Sequence, residues 1–364
     1  MKRFIDGSAS PHRRWNRDRT GTLPDVPRRR RRPTLNDVAE AAGLSAATVS
    51  YALRGLQVPE ETQARVREVA ARLGYEVNPI ARALASGRSG TVGVLFGSLE
   101  DLWQQELAVG MSRALLARGR YPIIADANSD PDREARLVRQ LHDQQVDGIL
   151  VSPLDPQADY WAELTDATAV VTIGDPLPGA PAAGCVLFDN RHGVAIALGH
   201  LAALGHHHVA VFTPALPRTP ERPADLLASQ VGAELGLDVT LVHSQASATS
   251  VADAADAVLT AGDPPTAAFA MSDSMAFGVY LAAQRRGLRI PEDLSVIGYD
   301  DHLTSQLVAP ALSTLSWDED GIVAAGVDLM ISAIEDGNRP RRVIFAPDLQ
   351  ERASTMAVGE AVAR

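Results

Sequence analysis

Two residue patterns in the chain have the types that metal and redox chemistry use. His206, His207 and His208 stand in a row, and Cys185 is the single cysteine of the 364 residues. Consecutive residues point in different directions and this run leads into an apolar strand, so we interpret it as a loop and helix cap rather than a metal site. A lone thiol in the apolar run 185–188 has no disulfide partner, and we expect it to be buried.

Patterns that support catalysis are missing from the sequence. It holds no glycine-rich phosphate loop, no Gly-x-Ser-x-Gly elbow and no His-Glu-x-x-His. We therefore predict a protein that is not an enzyme, with no catalytic residue, metal or cofactor. No apolar run reaches the roughly 18 residues of a membrane span, and arginines occupy the place of a secretory signal's apolar core, so we expect a cytoplasmic location.

Charge is divided unevenly along the chain. Residues 1–90 hold 17 Lys and Arg against 9 Asp and Glu, whereas residues 91–364 hold 17 against 36. A basic head on an acidic body indicates that the head binds a polyanion while the body stays away from it. With 46% hydrophobic residues the chain can bury a substantial core, which excludes a fully disordered protein.

Residues 34–77 carry the signals of short helices joined by a tight turn. Thr34 and Asp37 have the spacing of a capping box, Gly43 can take the positive φ of a turn, and Ser45 can cap the next helix. These offsets predict a helix-turn-helix domain. The three predicted helices run to about Ala42, onward from Ser45, and over 60–73.

The segments on either side of this domain differ from it in composition. Residues 1–33 are rich in Arg, Pro, Gly and Asp, and we predict a disordered basic tail that is either a solvated extension or an arm contacting phosphates. In the predicted hinge and linker at 78–90, Asn78 and Pro79 can start a helix that ends before Gly87. Because a helix of two turns is marginal in water, we expect this segment to order only when something holds it.

From residue 91 the sequence alternates buried strands with amphipathic helices. This alternation predicts parallel sheets covered on both faces, and the number of strands suggests two lobes. We place the first lobe at about 91–188 and 318–344, and the second at about 189–317 and 345–364. Ligands of such sheets bind at the carboxyl ends of the strands, so we expect a small molecule to bind between the lobes.

Several sequence fragments resemble the LacI/GalR family of transcriptional regulators. The resemblance implies an N-terminal all-α helix-turn-helix domain followed by a two-lobed α/β effector domain of the periplasmic-binding-protein type. It extends from residue 34 to about residue 356. The fragments are TLNDVAEAAGLSAATVSYAL at 34–53, LGYEVNPIARAL at 73–84, VDGIL at 146–150, FDNR at 188–191, HLAALGH at 200–206, IPEDLSVIGYDD at 290–301 and LSTL at 312–315.

The resemblance implies a homodimer that places two recognition helices in the major grooves of a pseudo-palindromic DNA operator. Ala46 and Ala47 fall where the family varies its base-reading side chains, and their methyls can meet a thymine methyl but cannot form bidentate hydrogen bonds. Tyr51 replaces an arginine common in the family. The residues implied to contact DNA are Thr34, Ser45, Ala46, Ala47, Thr48, Ser50, Tyr51, Arg54, Asn78, Ala81 and Leu84.

Leu84 has the most specific implied role. A leucine at this position in the family is inserted into the minor groove at the operator centre, where it unstacks a base step and bends the DNA. The alternative is an ordinary packing leucine. The resemblance implies that a change in lobe orientation alters the spacing of the paired hinges and thereby their ability to fold on DNA.

The effector site departs from the usual family pattern. Trp103 either stacks on a sugar or packs in the lobe core, and Arg222 matches an arginine that holds ligand hydroxyls or carboxylates. Ser272 stands where asparagine is usual, whereas Asp300 keeps a carboxylate at a strand end. The residues implied to bind effector are Trp103, Arg222, Ser272, Asp300 and Trp317.

The family's commonest effectors imply a carbohydrate, with nucleobases and other small metabolites as alternatives. We predict a DNA-binding regulator that acts as a repressor. The competing interpretation is an extracytoplasmic sugar-binding protein with the same two-lobed fold, which has no need for a helix-turn-helix.

Overall fold

The computed structural model describes residues 33–56, 58–75, 88–215, 224–245 and 247–359. The chain divides into two compact units, one up to Asn78 and one from Pro79 onward. Apart from Pro33, the predicted tail lies outside the described residues, as does the predicted hinge as far as residue 87.

The first unit is helical, as the sequence predicts. α1 begins at a capping box in which the Thr34 hydroxyl accepts from the Asp37 backbone N–H and the Asp37 carboxylate accepts from the Thr34 N–H. It ends at Gly43, whose φ of 64° lies in the left-handed region. The helices are α1 (Leu35–Ala42), α2 (Ala46–Leu53) and α3 (Glu60–Leu73). Their apolar faces enclose a small core of Val38, Ala42, Val49, Ala52 and Val66, all fully buried.

The first lobe of the second unit is built on a parallel sheet of six strands in the order β11-β5-β4-β3-β1-β2. The strands are β1 (Thr91–Phe96), β2 (Tyr121–Asp126), β3 (Gly148–Val151), β4 (Ala169–Gly174), β5 (Gly184–Phe188) and β11 (Arg342–Phe345). The helices are α4 (Leu102–Ala117), α5 (Pro131–Asp143), α6 (Tyr160–Thr165) and α12 (Glu319–Asp336).

The second lobe repeats this strand order as β12-β10-β9-β8-β6-β7. Its edge strand β12 runs antiparallel to β10, a departure from the all-parallel sheets that the sequence predicts. The strands are β6 (His208–Pro214), β7 (Asp238–Ser244), β8 (Ala267–Ala270), β9 (Ser295–Asp300), β10 (Ser313–Ser316) and β12 (Asp348–Gln350). The helices are α7 (Asn190–Ala203), α8 (Ala224–Leu235), α9 (Ala248–Val258), α10 (Asp273–Arg286) and α11 (Thr304–Leu307).

The chain passes between the two sheets three times, after Phe188, after Ser316 and after Phe345. Two of these crossings are hydrogen bonded to each other, because the Asp189 N–H donates to the Phe345 carbonyl at 2.8 Å. One hydrophobic cluster continues from the first lobe into the second. The lobes are therefore joined by adjacent crossing segments that share a core.

Cys185 and His206, which belong to the two patterns considered for redox and metal chemistry, are both buried. Cys185 is buried in β5, as expected. His206 is buried, and its ring nitrogens lie 2.9 Å from the Thr266 hydroxyl and 3.0 Å from the Ser295 hydroxyl. Within the described parts of the chain, no helix combines the length and apolar character that crossing a bilayer requires.

Candidate DNA interface and effector cleft

The amino-terminal turn of α2 presents small side chains around a helix cap. Ser45 caps the helix, since its hydroxyl accepts from the Thr48 N–H at 3.1 Å and lies 2.8 Å from the Thr48 hydroxyl. Ser45 and Ala47 are exposed, while Ala46 and Thr48 are half-buried. A partner approaching this turn meets hydroxyl groups and methyl groups, both of which suit the edges of a DNA groove.

The carboxyl-terminal half of α2 presents an aromatic ring and a cation. The Arg54 guanidinium carbon lies 5.1 Å from the centroid of the Tyr51 ring, and Arg54 Nε donates to the Ser50 carbonyl at 3.2 Å. Tyr51 and Arg54 are both exposed. The stack holds a positive charge at the surface of the helix, where it can contact a phosphate.

Other residues predicted to contact DNA either have another role in this structure or lie outside the described residues. The Thr34 hydroxyl also donates to the Asp37 carboxylate at 2.8 Å, so in this structure its role is to cap α1. Asn78, Ala81 and Leu84 lie outside the described residues, and so does Arg222 of the predicted effector site. Their functional roles stay predictions.

In the body, Asp300 ends strand β9 and is buried. Its backbone φ of 149° is in a region that side chains other than glycine rarely adopt, and such conformations concentrate at functional sites. One carboxylate oxygen accepts from the Asp273 N–H at 3.3 Å. Ser272 is also buried, and its hydroxyl caps α10 by accepting from the Met275 N–H at 3.2 Å. The serine that departs from the family pattern therefore serves as a helix cap.

Sequence reasoning did not single out Asp273, which organises the loops around Asp300. Its carboxylate accepts from the Ser305 hydroxyl and the Thr314 hydroxyl, both at 2.5 Å, and from the His302 N–H at 2.9 Å. Gly298 leaves room for this carboxylate, because a Cβ built there would lie 2.1 Å from the Asp273 carboxylate. The glycine is needed for the close approach of Asp273 to β9.

Aromatic rings join the two lobes at the crossing segments. Phe188 lies between Trp103 of the first lobe and Trp317, with centroid distances of 5.2 Å and 4.9 Å. Trp317 in turn lies 5.6 Å from Tyr299 of β9. Among the described residues, no acceptor lies within hydrogen-bond distance of the buried Trp103 indole nitrogen. The structure thus brings both predicted tryptophans into one aromatic cluster beside the strand end that carries Asp300.

Carboxylates from both lobes meet across the cleft. Burial raises the pKa of Asp101, and Asp273 of the other lobe adds to the rise. Burial also raises the pKa of Asp300 well above its usual range, with further contributions from Asp101 and Asp273. At the start of α12, burial and the nearby Glu106 raise the pKa of Glu319 to about 7. A ligand that brings hydrogen-bond donors would relieve this concentration of negative charge.

One contact joins the lobes directly at this cleft. His302 Nε2 of the second lobe lies 3.3 Å from a carboxylate oxygen of Glu106 in α4. His302 Nδ1 accepts from the Thr304 N–H at 3.1 Å, which leaves the proton of the neutral ring on Nε2, facing Glu106. Trp317, Ser272 and Asp300 are each less than 10% exposed in this structure.

A short helical unit with an exposed, capped second helix, followed by a two-lobed body with a cleft at its strand ends, defines a DNA-binding regulator that senses a small molecule. Family models agree with each part. "Bacterial regulatory proteins, lacI family" matches residues 34–78, and "Periplasmic binding protein-like domain" matches residues 198–355.

Relatives of known identity extend the match to most of the chain. The catabolite control protein A of Priestia megaterium is 30% identical over 291 residues, covering 78% of this chain and 86% of the relative. The HTH-type transcriptional repressor PurR of Aliivibrio fischeri strain MJ11 is 28% identical over 331 residues, or 89% and 98% of the two chains. The protein belongs to the LacI family of bacterial regulators.

Solved structures show the same architecture. The lac repressor dimer bound to operator and the anti-inducer ONPF matches with a TM-score of 0.79 at 25% identity, covering 90% of this chain and 100% of that one. The complex of the transcriptional regulator CelR with cellobiose matches with a TM-score of 0.64 at 25% identity, covering 89% and 100%. The chain is therefore a DNA-binding transcriptional regulator under effector control, and the alternative of a binding protein without a regulatory role is set aside.

Proposed function

We propose that the protein is a cytoplasmic repressor without catalytic activity, whose affinity for a pseudo-palindromic operator changes when a carbohydrate binds between its lobes. The observation that carries this proposal is the set of polar and aromatic groups that both lobes bring together at the carboxyl ends of their strands. Asp300 ends strand β9 beside the aromatic cluster of Trp103, Phe188 and Trp317, and carboxylates of both lobes converge there.

These groups suit a polyhydroxylated ring. Carboxylates accept hydrogen bonds from several sugar hydroxyls, and a tryptophan face packs against the apolar face of a pyranose. The CelR complex, which contains cellobiose, supports the choice of ligand class. Arg222, Asp300 and Trp317 are the residues that we expect to contact the ligand directly, with Ser272 and Trp103 shaping the site.

On the DNA side, the exposed face of α2 supplies the proposed base and phosphate contacts. Ala46 and Ala47 would meet thymine methyl groups, and Tyr51 with Arg54 would contact the backbone or a base edge. Leu84 would be inserted at the operator centre. Replacing Leu84 by Ala is expected to weaken binding to the specific operator on the order of tenfold while leaving nonspecific binding unchanged. Equal losses on both kinds of DNA would reject the insertion.

The homodimer is proposed to use the edge of the first lobe. Strand β2 is at the end of its sheet, and apolar side chains are exposed along it and along α4. They are Val109, Leu116, Tyr121 and Ile124, between 39% and 65% exposed. A second copy would cover this surface, and Ile124→Lys is expected to yield monomers in analytical ultracentrifugation.

The decisive experiment uses the full-length protein. In vitro selection from random DNA duplexes identifies the operator, and thermal unfolding in the presence of carbohydrates and nucleobases identifies the effector class. We expect a carbohydrate to raise the unfolding midpoint and to change affinity for the selected duplex. Stabilisation by a nucleobase with no response to any carbohydrate would overturn the ligand class but leave the regulator intact.

A further inference from the structure

A buried carboxylate lies where the chain enters the first lobe. Asp147, directly before β3, has a side chain that is only 4% exposed. Its oxygens accept from the Ser89 N–H at 2.6 Å, the Ser89 hydroxyl at 3.0 Å, the Gly90 N–H at 3.0 Å and Arg120 Nη1 at 2.7 Å. One side chain therefore binds both the entering segment and the turn that precedes β2.

The entering segment is held by other elements of the lobe as well. The Ser89 hydroxyl lies 2.7 Å from the Thr91 hydroxyl, and the Gly90 carbonyl accepts from the Tyr121 N–H at 2.8 Å. Arg88 donates to the Ile334 carbonyl of α12 at 3.0 Å. Residues 88–91 are thus fixed to the amino-terminal edge of the sheet, at the point where β1 begins.

This anchoring exceeds what the start of a strand requires. Backbone pairing with β2 and β3 already sets the register of β1. An aspartate buried against an arginine must lose its hydration, and it is stabilised only when its oxygens find donors of good geometry. Asp147 finds three of its four donors in Ser89 and Gly90, which follow directly after Arg88 at the point where the chain enters the lobe.

The position of these residues matters because residues 76–87 form the covalent connection to the first unit. A flexible junction at 88–90 would let the lobe move without displacing the linker. A rigid junction converts each movement of the lobe into a displacement of the linker's starting point, and the effective concentration of the second DNA-binding unit at its half-site depends on that point.

We infer that Asp147 is a positioning residue for the regulatory response: it fixes the point where the linker leaves the first lobe, so that lobe orientation sets the spacing of the two linkers in the dimer. This role rests on the proposed function. It concerns neither the effector nor the DNA directly, since Asp147 lies at the edge of the sheet opposite to the cleft.

The test compares full-length Asp147→Asn with a matched control. Asp328→Asn removes another Arg–Asp ion pair of the same lobe, the exposed contact of Arg118 and Asp328 at 2.5 Å. The probes are a duplex selected with the wild-type protein and a scrambled duplex of the same length. We expect Asp147→Asn to bind the selected duplex on the order of tenfold more weakly and the scrambled duplex equally well. Asp328→Asn should leave both affinities unchanged.

Hydrogen exchange supplies a readout of the contact itself. In Asp147→Asn, the Ser89 and Gly90 amides should exchange faster, while the strands keep their protection. Asp147→Glu, which retains the charge, should recover part of the operator affinity. If Asp147→Asn does not fold in thermal unfolding, Ser89→Ala removes one of the four bonds and should show a smaller loss of the same selectivity.

Two results would overturn the positioning role. One is unchanged affinity for the selected duplex despite faster exchange at Ser89 and Gly90, and the other is an equal loss on both duplexes. Failure of the proposed function looks different, because the wild-type protein would then enrich no duplex in the selection.

Discussion

Strands β3 and β8 hold the same place in their respective sheets, yet the buried aspartates beside them lie at opposite ends. Asp147 precedes β3 and binds the segment that enters from the linker, whereas Asp273 follows β8 and binds the loops around Asp300. Two lobes with the same strand order are therefore specialised at opposite edges. The first lobe is specialised at the edge where the chain enters it, and the second at the edge where we propose that ligand is recognised.

The largest effect should come from removing the carboxylate of Asp273. Asp273→Ala would leave the buried Ser305 and Thr314 hydroxyls and the His302 N–H without their acceptor, and we expect the free energy of unfolding to fall by roughly 3 kcal/mol. Urea unfolding measures this loss. Asp263→Ala, at an exposed position, is the control and should change little. A small loss for Asp273→Ala would mean that the ligand edge does not depend on this network.

Asp300 should affect ligand binding more than folding. Asp300→Asn keeps the size of the side chain but removes an acceptor for sugar hydroxyls, so the carbohydrate found by thermal shift should bind about tenfold more weakly in calorimetry. Asp348→Asn, exposed in the same lobe, should bind it normally. Normal binding by Asp300→Asn would remove this carboxylate from the site.

Two histidines of the second lobe should make folding weaker in acid. Burial lowers the pKa of His200 and of His206, so the unfolded chain takes up these protons at higher pH than the folded chain. The stability they contribute is complete above about pH 6.5 and is lost as pH falls through the lowered values. Glu319, whose pKa is raised to about 7, acts in the opposite sense, because the penalty on folding is complete above that pH and fades at lower pH. Burial also raises the pKa values of Asp273 and Asp300 in the second lobe, and these carboxyls oppose the histidines in the same way.

His206→Gln separates these contributions. Between about pH 7.5 and about pH 5.5, the thermal unfolding midpoint of His206→Gln should fall less than that of the wild type. We expect this difference to correspond to a smaller change in stability than the loss caused by Asp273→Ala. The matched control is His243→Gln, for a histidine on the exposed side of β7. An identical pH dependence for His206→Gln and the wild type would contradict the assignment.

The smallest expected effect concerns the contact between the two lobes. Glu106 and His302 are partly exposed and 3.3 Å apart, so a double-mutant cycle with Glu106→Gln and His302→Gln should give a coupling of about 0.5 kcal/mol in unfolding free energy. A coupling several times larger would show that lobe contact, rather than the crossing segments, holds the body together.

Much of this fold could be predicted from local signals. The capping pair Thr34 and Asp37, the turn at Gly43 and the end of α3 at Gly74 fall where the sequence places them, because each depends on residues close in the chain. Long apolar strands such as β1 and β6 could also be predicted from their sequence. Strand β12 was not, since three residues of mixed polarity acquire their antiparallel partner only through the tertiary fold.

The candidate site was predictable only in part. Resemblance pointed to Asp300 and Trp317, and the structure brings them near one another. Asp273 and Asp147 were not foreseen, because their importance comes from donors 27 to 58 positions away in the chain. Such partners depend on topology, and spacing along the sequence carries no trace of them.

The three adjacent crossings have a mechanical consequence. Two domains joined by one strand can rotate about it freely, whereas three neighbouring connections, two of them hydrogen bonded through Asp189 and Phe345, resist twisting and leave bending as the easy motion. Ligand capture in this molecule would then change essentially one angle. If the body has one easy motion, the angle of closure is the one variable that it can transmit. The response at the DNA would then depend on how far the lobes have closed.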